Sequence, residues 1–319
     1  MNFIDKLLNI SRKNKSLLCI GLDPNPDLMP KVGILEFNKA IISSTHDLVC
    51  AYKPNLAFYE ALGIEGLSIL EKTIEHIPAD IPIIGDAKRG DIGNTAKAYA
   101  KALFSTLGFD AATVNPYLGF DSIEPFTSYQ DKGVFILCRT SNRGAMDFQD
   151  LLNISIEPTP PTARYAVSNL RIQPKEVEVG KPVDITFQLT NVGNVRASYK
   201  ITLEPLPLYE VVAQKAKEWN IYGNIGLVVG ATYPEELKRV RSICPEMCLL
   251  IPGIGAQGGD LALAVSYGVD AQGEKAIINV SRQILYASRE KDFAQAARNA
   301  AEKIRNQINS YLASRPKTK

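Results

Sequence analysis

The chain has 319 residues, 45% of them hydrophobic and 22% charged, enough to bury a large core or two moderate ones. Thirty-six Lys and Arg against 34 Asp and Glu leave a net charge of only +2, which argues against wholesale nucleic-acid binding and leaves room for a small anionic ligand. Five cysteines (Cys19, Cys50, Cys138, Cys244, Cys248) form no C-x-x-C pair and have only His46 and His76 beside them, so a secreted disulfide framework and a zinc cluster are both disfavoured. The opening residues form no signal-peptide apolar block and no run reaches membrane-spanning length, so a cytoplasmic protein without a membrane partner is expected.

In chain order, short β-rich apolar runs recur at Leu17 to Leu22, Leu48 to Tyr52, Ile81 to Ile84, Ala111 to Val114, Val134 to Cys138, Ile225 to Val229, Cys248 to Ile251 and Ala276 to Val280. Helical patterns such as Thr95 to Phe104 and Leu208 to Trp219 lie between them. Strands alternating with helices predict a parallel sheet, and eight such units predict an α/β fold of the (β/α)8 TIM-barrel kind, usually about 250 residues long.

The chain exceeds that length because its texture changes between 153 and 204. Pro158, Pro160 and Pro161 are followed by alternation at Val183, Ile185, Phe187 and Leu189, then at Tyr199, Ile201 and Leu203, around the turn-prone Asn191 to Asn194. That pattern predicts an antiparallel hairpin. The predicted organisation is a barrel domain over 1–152 and 205–319 with a small all-β insertion, 153–204, after strand five. Connections leaving barrel strands lie on the catalytic face, so the insertion is expected above the rim of the site. A tolerated surface module without effect on chemistry is the favoured reading, because loops accept insertions when their ends stay close.

Polar residues close nearly every predicted strand: Asp23, Lys53 with Asn55, Asp86 with Lys88, Asn115, Thr140 with Ser141, Gln257 and Arg282. In a barrel these ends converge on one mouth. Singly, Asp23, Asn115 and Ser141 could serve only as turn formers or helix caps. Asp86-Ala-Lys-Arg-Gly-Asp91 is denser. In an extended strand Asp86 and Lys88 share a face, and Asp91 follows in the next loop. After strand seven, Pro252 to Asp260 is glycine-rich, and Ser281-Arg282 follows strand eight; a backbone that can approach an anion, as at Gly258, together with the forked guanidinium of Arg282, predicts a phosphate grip.

Seven stretches resemble the orotidine 5′-phosphate decarboxylase family, in its longer bacterial form: 21–25, Tyr52-Lys-Pro-Asn55, 86–93, 114–121, Leu137-Cys-Arg-Thr-Ser-Asn142, 251–259 and Asn279-Val-Ser-Arg282. They run from near the start to about Ser288 and skip the insertion. The resemblance implies a homodimer with shared active sites, in which orotidine 5′-phosphate loses carbon dioxide to give uridine 5′-phosphate, the last step of pyrimidine nucleotide synthesis, with neither metal nor organic cofactor. It implies an array of Lys53, Asp86, Lys88 and Asp91, with Asp91, Ile92 and Thr95 supplied by the partner subunit. It also places Asp23 and Asn55 near the ribose and the array, Thr140 and Ser141 near the pyrimidine, and Gln257 and Arg282 on the phosphate.

Elementary chemistry agrees. Departure of carbon dioxide leaves a carbanion, which the Lys88 ammonium can both stabilise and protonate, while the neighbouring carboxylates repel the substrate carboxylate until it leaves. The stretch after Gln257 is the expected lid. Arg143 stands where the family commonly has proline, and the insertion departs from the family pattern altogether. It resembles part of an immunoglobulin-like adhesion module, short of the ~100 residues of a complete sandwich, and the sequence names no partner for it. Two alternatives remain. A phosphosugar decarboxylase or aldolase would share the D-x-K-x-x-D strand and usually employ magnesium, and a binding protein would use the barrel only to display the inserted module.

Overall fold

The computed structural model describes residues 1–159, 164–173, 184–194 and 198–315. Eight parallel strands make one sheet: β1 (Leu18–Leu22), β2 (Ala51–Pro54), β3 (Ile84–Arg89), β4 (Ala111–Val114), β5 (Gly133–Arg139), β10 (Ile225–Val229), β11 (Cys248–Ile251) and β12 (Ala276–Val280). Their order is β2-β1-β12-β11-β10-β5-β4-β3, and the bridges Tyr52 to Ile83 and Asn55 to Asp86 join β2 to β3, so the sheet closes as the expected (β/α)8 barrel. Strands covered on both faces have no polar face to show to solvent, which is why β1, β10 and β11 are fully buried and read as unbroken apolar runs; β4 and β12 are as buried but carry Thr113 and Asn279.

Helices complete the outer layer. Phe293–Ala313 buries Ala297, Ala301, Ile304 and Ile308, one stripe at helical spacing. At the opposite end of the chain, Asn2 caps the helix Phe3–Asn14 by accepting from the Asp5 amide. Phe3 of that helix meets Phe135 edge-on at 5.7 Å, against the first residues of β5. Among the described residues no helix is long and apolar enough to cross a membrane.

Two strands depart from expectation. β2 begins three residues later than the predicted run and ends at Pro54, and β3 begins only at Ile84, where its predicted run ends, and reaches Arg89, so Lys53, Asp86 and Lys88 lie within the sheet rather than beyond it. Apolar runs stop at charged residues, but these charges enter the sheet as partners of one another.

The chain divides into two compact units, Met1–Asp150 with Leu208–Lys319, and Leu151–Pro207. Within the smaller unit, β6 (Leu152–Thr159) pairs antiparallel with β9 (Ser198–Pro207), and β7 (Tyr165–Gln173) pairs antiparallel with β8 (Asp184–Asn191). The expected hairpin between the segments now seen as β8 and β9 is therefore corrected: both are strands, but each takes another partner. Alternation specifies which face a side chain takes and says nothing of the neighbour. Pairing of the first and last strands, with Leu152 opposite Pro207, brings the two ends of the unit together. Val183, Pro160 and Pro161 lie outside the described residues.

Candidate active site

The carboxyl ends of the barrel strands surround a cavity of about 760 Å3, within the usual range for a small-molecule site. Asp86 lines it and gathers three donors. Its Oδ2 accepts from Lys53 Nζ at 2.9 Å, and its Oδ1 accepts from Lys88 Nζ at 2.6 Å and from Thr113 Oγ1 at 3.0 Å. Lys53 and Asp86 are buried, whereas the Lys88 side chain is half exposed and free to meet a ligand.

Lys88 reaches this position by an unexpected route. Its φ is 47°, in the left-handed region, and the register between β3 and β4 slips between Gly85 and Arg89. Simple alternation along an extended strand is therefore not what brings Lys88 to Asp86. The left-handed backbone costs about 1–2 kcal/mol for a residue with a Cβ. It is held by the Lys88 amide donating to Thr113 Oγ1 at 3.0 Å and by the bond to Asp86. Strain of this kind, fixed by its surroundings, is typical of functional positions.

Electrostatics follow from the same contacts. Burial alone would push the Asp86 carboxyl upward, but Lys53 and Lys88 outweigh it and hold the group well below the usual carboxylate range. Burial likewise disfavours the Lys53 ammonium, and the charges of Asp86 and Asp23 outweigh that effect and hold it above the ordinary lysine value. Both shifts describe the same charged pair.

Asp23 lines the cavity after β1, and its Oδ1 is buried without a hydrogen-bond partner. The Tyr286 hydroxyl clasps its loop, donating to the Asp23 carbonyl and accepting from the Asn25 amide, both at 2.7 Å. A Cβ at Gly21 would come within 2.0 Å of Ser281 Oγ and 3.1 Å of its Cβ, so any larger residue there would displace the Ser281 side chain. Asn55 also lines the cavity while accepting from the Ala57 amide, so it caps the helix Leu56–Glu60 and faces the site at once. Asn115 does only the former: it accepts from the Tyr117 amide and does not line the cavity.

Thr140, Ser141, Gln257 and Arg282 all line the cavity, as expected. Gly258 does not. It turns the loop instead, at φ 82°, with its amide on the Gly255 carbonyl, while Gly253 and Ala256 form the wall. Asp91, Ile92 and Thr95 are not brought to this cavity within one chain: Asp91 Oδ1 accepts from the Ile92 amide, Ile92 is 52% exposed and Thr95 is exposed. Among the described residues no group of three or more His, Cys, Asp or Glu gathers to hold a metal ion.

Several lining residues were not anticipated: Thr113, Gln149, Asn279 and Tyr286. Thr113 reads as an ordinary β-branched strand former, and Tyr286 as an aromatic of a helical stretch. Gln149 arrives from a loop, with no periodicity to signal it.

Fold and site together define a (β/α)8-barrel enzyme with a lysine–aspartate array, a glycine-rich loop and an arginine lining one cavity. The model of the "Orotidine 5'-phosphate decarboxylase / HUMPS family" matches residues 16–168. An orotidine 5'-phosphate decarboxylase of Dehalococcoides mccartyi is 50% identical over 313 residues, covering 98% of each chain. One of Roseiflexus castenholzii is 44% identical over 319 residues, covering 98% of this chain and 99% of its own. Among solved structures, Leishmania donovani OMP decarboxylase superposes with a TM-score of 0.73 at 37% identity, covering 98% of this chain and 100% of that one. A putative orotidine-monophosphate-decarboxylase of Toxoplasma gondii gives 0.75 at 34%, covering 98% and 97%. The chain belongs to the orotidine 5′-phosphate decarboxylase family.

Proposed function

We propose that the chain converts orotidine 5′-phosphate to uridine 5′-phosphate and carbon dioxide in pyrimidine biosynthesis, with Lys88 protonating the pyrimidine at C6. The observation that carries this reading is the Asp86 carboxylate held between Lys53 and a half-exposed Lys88 on the floor of the cavity. When the bond from C6 to the carboxylate breaks, its electron pair stays on C6 and carbon dioxide departs. A Lys88 N–H then supplies the proton for the new C–H bond, and solvent restores it to the amine. The Asp86 charge disfavours a substrate carboxylate beside it and ceases to do so as that carboxylate leaves, a differential effect that accelerates the step. Fixed ammonium groups in a site already partly removed from water need no reorganisation to meet the developing charge.

Arg282 and the loop at Gln257 hold the phosphate, a guanidinium fork beside a backbone able to come close. Gly258 contributes by shaping that loop. The active unit in this reading is a homodimer with shared sites, in which Asp91, Ile92 and Thr95 reach the partner's cavity. Exposure of large apolar residues on this region, Ile92 at 52%, Tyr117 at 83% and Leu118 at 48%, supports such a face.

The barrel residues 1–152 and 205–319 act as the decarboxylase domain. The inserted segment is a partial immunoglobulin-like sandwich, a reading supported by its two antiparallel pairs and by a length well short of the ~100 residues of a complete domain. The test is direct: the purified chain is mixed with orotidine 5′-phosphate and the loss of substrate absorbance is followed after thorough chelation of metals. Turnover is expected to persist, and its absence in a folded chain overturns the assignment.

A further inference from the structure

The wall of the cavity at the end of β5 contains a side chain to which no role has been given. Gln149 lines the cavity, and both ends of its carboxamide are engaged by Thr140: Oε1 accepts from the Thr140 amide at 2.8 Å, and Nε2 donates to Thr140 Oγ1 at 3.0 Å. A backbone N–H can only donate, so the first bond fixes which end of the carboxamide is oxygen. Thr140 Oγ1 in turn donates to Asn142 Oδ1 at 2.7 Å. The amide and hydroxyl of Thr140 are thus spent within the protein.

The loop around Gln149 is equally held. Its amide donates to the Ala145 carbonyl and its carbonyl accepts from the Tyr209 amide, at 2.8 and 3.0 Å. Asp150 accepts from Arg139 Nη2 at 3.0 Å, and the fully buried Arg139 guanidinium stacks on Tyr233 at 3.7 Å. A flexible glutamine is thereby held in one place, its ordering cost borne by the fold before any ligand arrives.

Placement of the ligand follows from the proposed function, on which this inference rests. The reacting carbon lies over the β2–β3 array and the phosphate at the loops after β11 and β12, which leaves the wall at β5 for the edge of the pyrimidine ring. That edge carries carbonyl oxygens. The geometry points to Gln149 as a specificity-determining residue, its second Nε2 hydrogen donating to a ring carbonyl oxygen of the pyrimidine nucleotide, with Thr140 as its positioning residue.

Two substitutions and two ligands test this. Gln149→Glu keeps an oxygen to accept from the Thr140 amide but presents no donor to the ring, whereas Gln149→Met removes both. Dissociation constants are measured by calorimetry for uridine 5′-phosphate, which has the ring, and ribose 5-phosphate, which lacks it. The loss of one hydrogen bond is expected to weaken uridine 5′-phosphate by roughly five- to tenfold in either variant, and more where the Glu charge faces the carbonyl, with ribose 5-phosphate held within about twofold. Should Gln149→Glu fail to melt cooperatively, the same ratio is read from Gln149→Met. Wild-type affinity for uridine 5′-phosphate in Gln149→Glu, a parallel loss for both ligands, or a wild-type chain that binds neither would each overturn the inference. Turnover of orotidine 5′-phosphate by the wild type is read separately: a folded chain that binds uridine 5′-phosphate without decarboxylating would sink the proposed function, while the two dissociation constants still decide the role of Gln149.

Discussion

Lys53 and Asp86 form a buried ion pair, 2.9 Å from nitrogen to oxygen, between neighbouring strands that close the barrel. Asp86 satisfies its remaining oxygen through Lys88 and Thr113, so neither charge is left uncompensated. Removing one partner of such a pair strands the other charge in a poorly solvated site, which typically costs about 3–5 kcal/mol.

Asp86→Ala is therefore expected to lower stability to denaturant by roughly that amount as well as abolish turnover, whereas a paired Lys53→Met, Asp86→Leu variant should recover much of the stability and none of the activity. Urea melts of the single and double variants decide it; equal stability of the single variant and the wild type would mean the pair contributes nothing.

The pair also sets a pH dependence. Asp86 is depressed in the folded chain, so its contribution is present above the unfolded carboxylate value of about 3.9 and fades as pH falls toward its folded value. Lys53 is raised, so its contribution is complete below the unfolded lysine value of about 10.4 and fades only as pH rises through its folded value. The stability difference between wild type and the double variant should be flat between those limits and shrink in acid. A difference that changes steeply near neutral pH would contradict this assignment of charges.

Lys88→Ala removes the proton donor without opening the buried pair. Turnover should fall by at least roughly a hundredfold, the lower end for loss of a positioned general acid, while the thermal midpoint stays near that of the wild type. Lys88→Gly should be at least as stable as Lys88→Ala, because the left-handed backbone at this position suits glycine. A less stable glycine variant would argue against the strain.

The barrel itself was legible because parallel strands covered on both faces leave long apolar runs, as Ile225 to Val229 and Cys248 to Ile251 do. Its functional strands were the blurred ones. Lys53 and Asp86 interrupt the apolar pattern, yet they enter the sheet because each neutralises the other, a compensation that local sequence does not reveal. The left-handed turn at Lys88 depends on Thr113 from the next strand, and Gln149 meets Thr140 through a loop, so both are matters of tertiary contact. In the smaller unit the alternation marked strands correctly but could not choose their partners.

Arg282→Ala should act on binding rather than on chemistry. Loss of a charge-assisted bond is worth about 1.5–3 kcal/mol, so KM for orotidine 5′-phosphate should rise roughly ten- to a hundredfold, with a smaller change in kcat. Unchanged KM would remove Arg282 from the phosphate site.

Deleting the smaller unit tests whether it matters to the chemistry. Gln149 O accepts from Tyr209 N at 3.0 Å, so the chain leaves and re-enters the barrel at adjacent points, and a short linker in place of Leu151–Pro207 can join them. Cys138 Sγ, at the end of β5, donates to the Tyr209 carbonyl at 3.2 Å, and Arg139 holds Asp150, so both sides of the junction are anchored to the barrel without the deleted segment. The shortened chain should fold, melt cooperatively and keep kcat and KM within about threefold of the full chain, as tolerated loop insertions do. A large gain in kcat/KM would mean that the unit hinders substrate entry, and a collapse of kcat with the fold intact would mean that it helps to order the mouth.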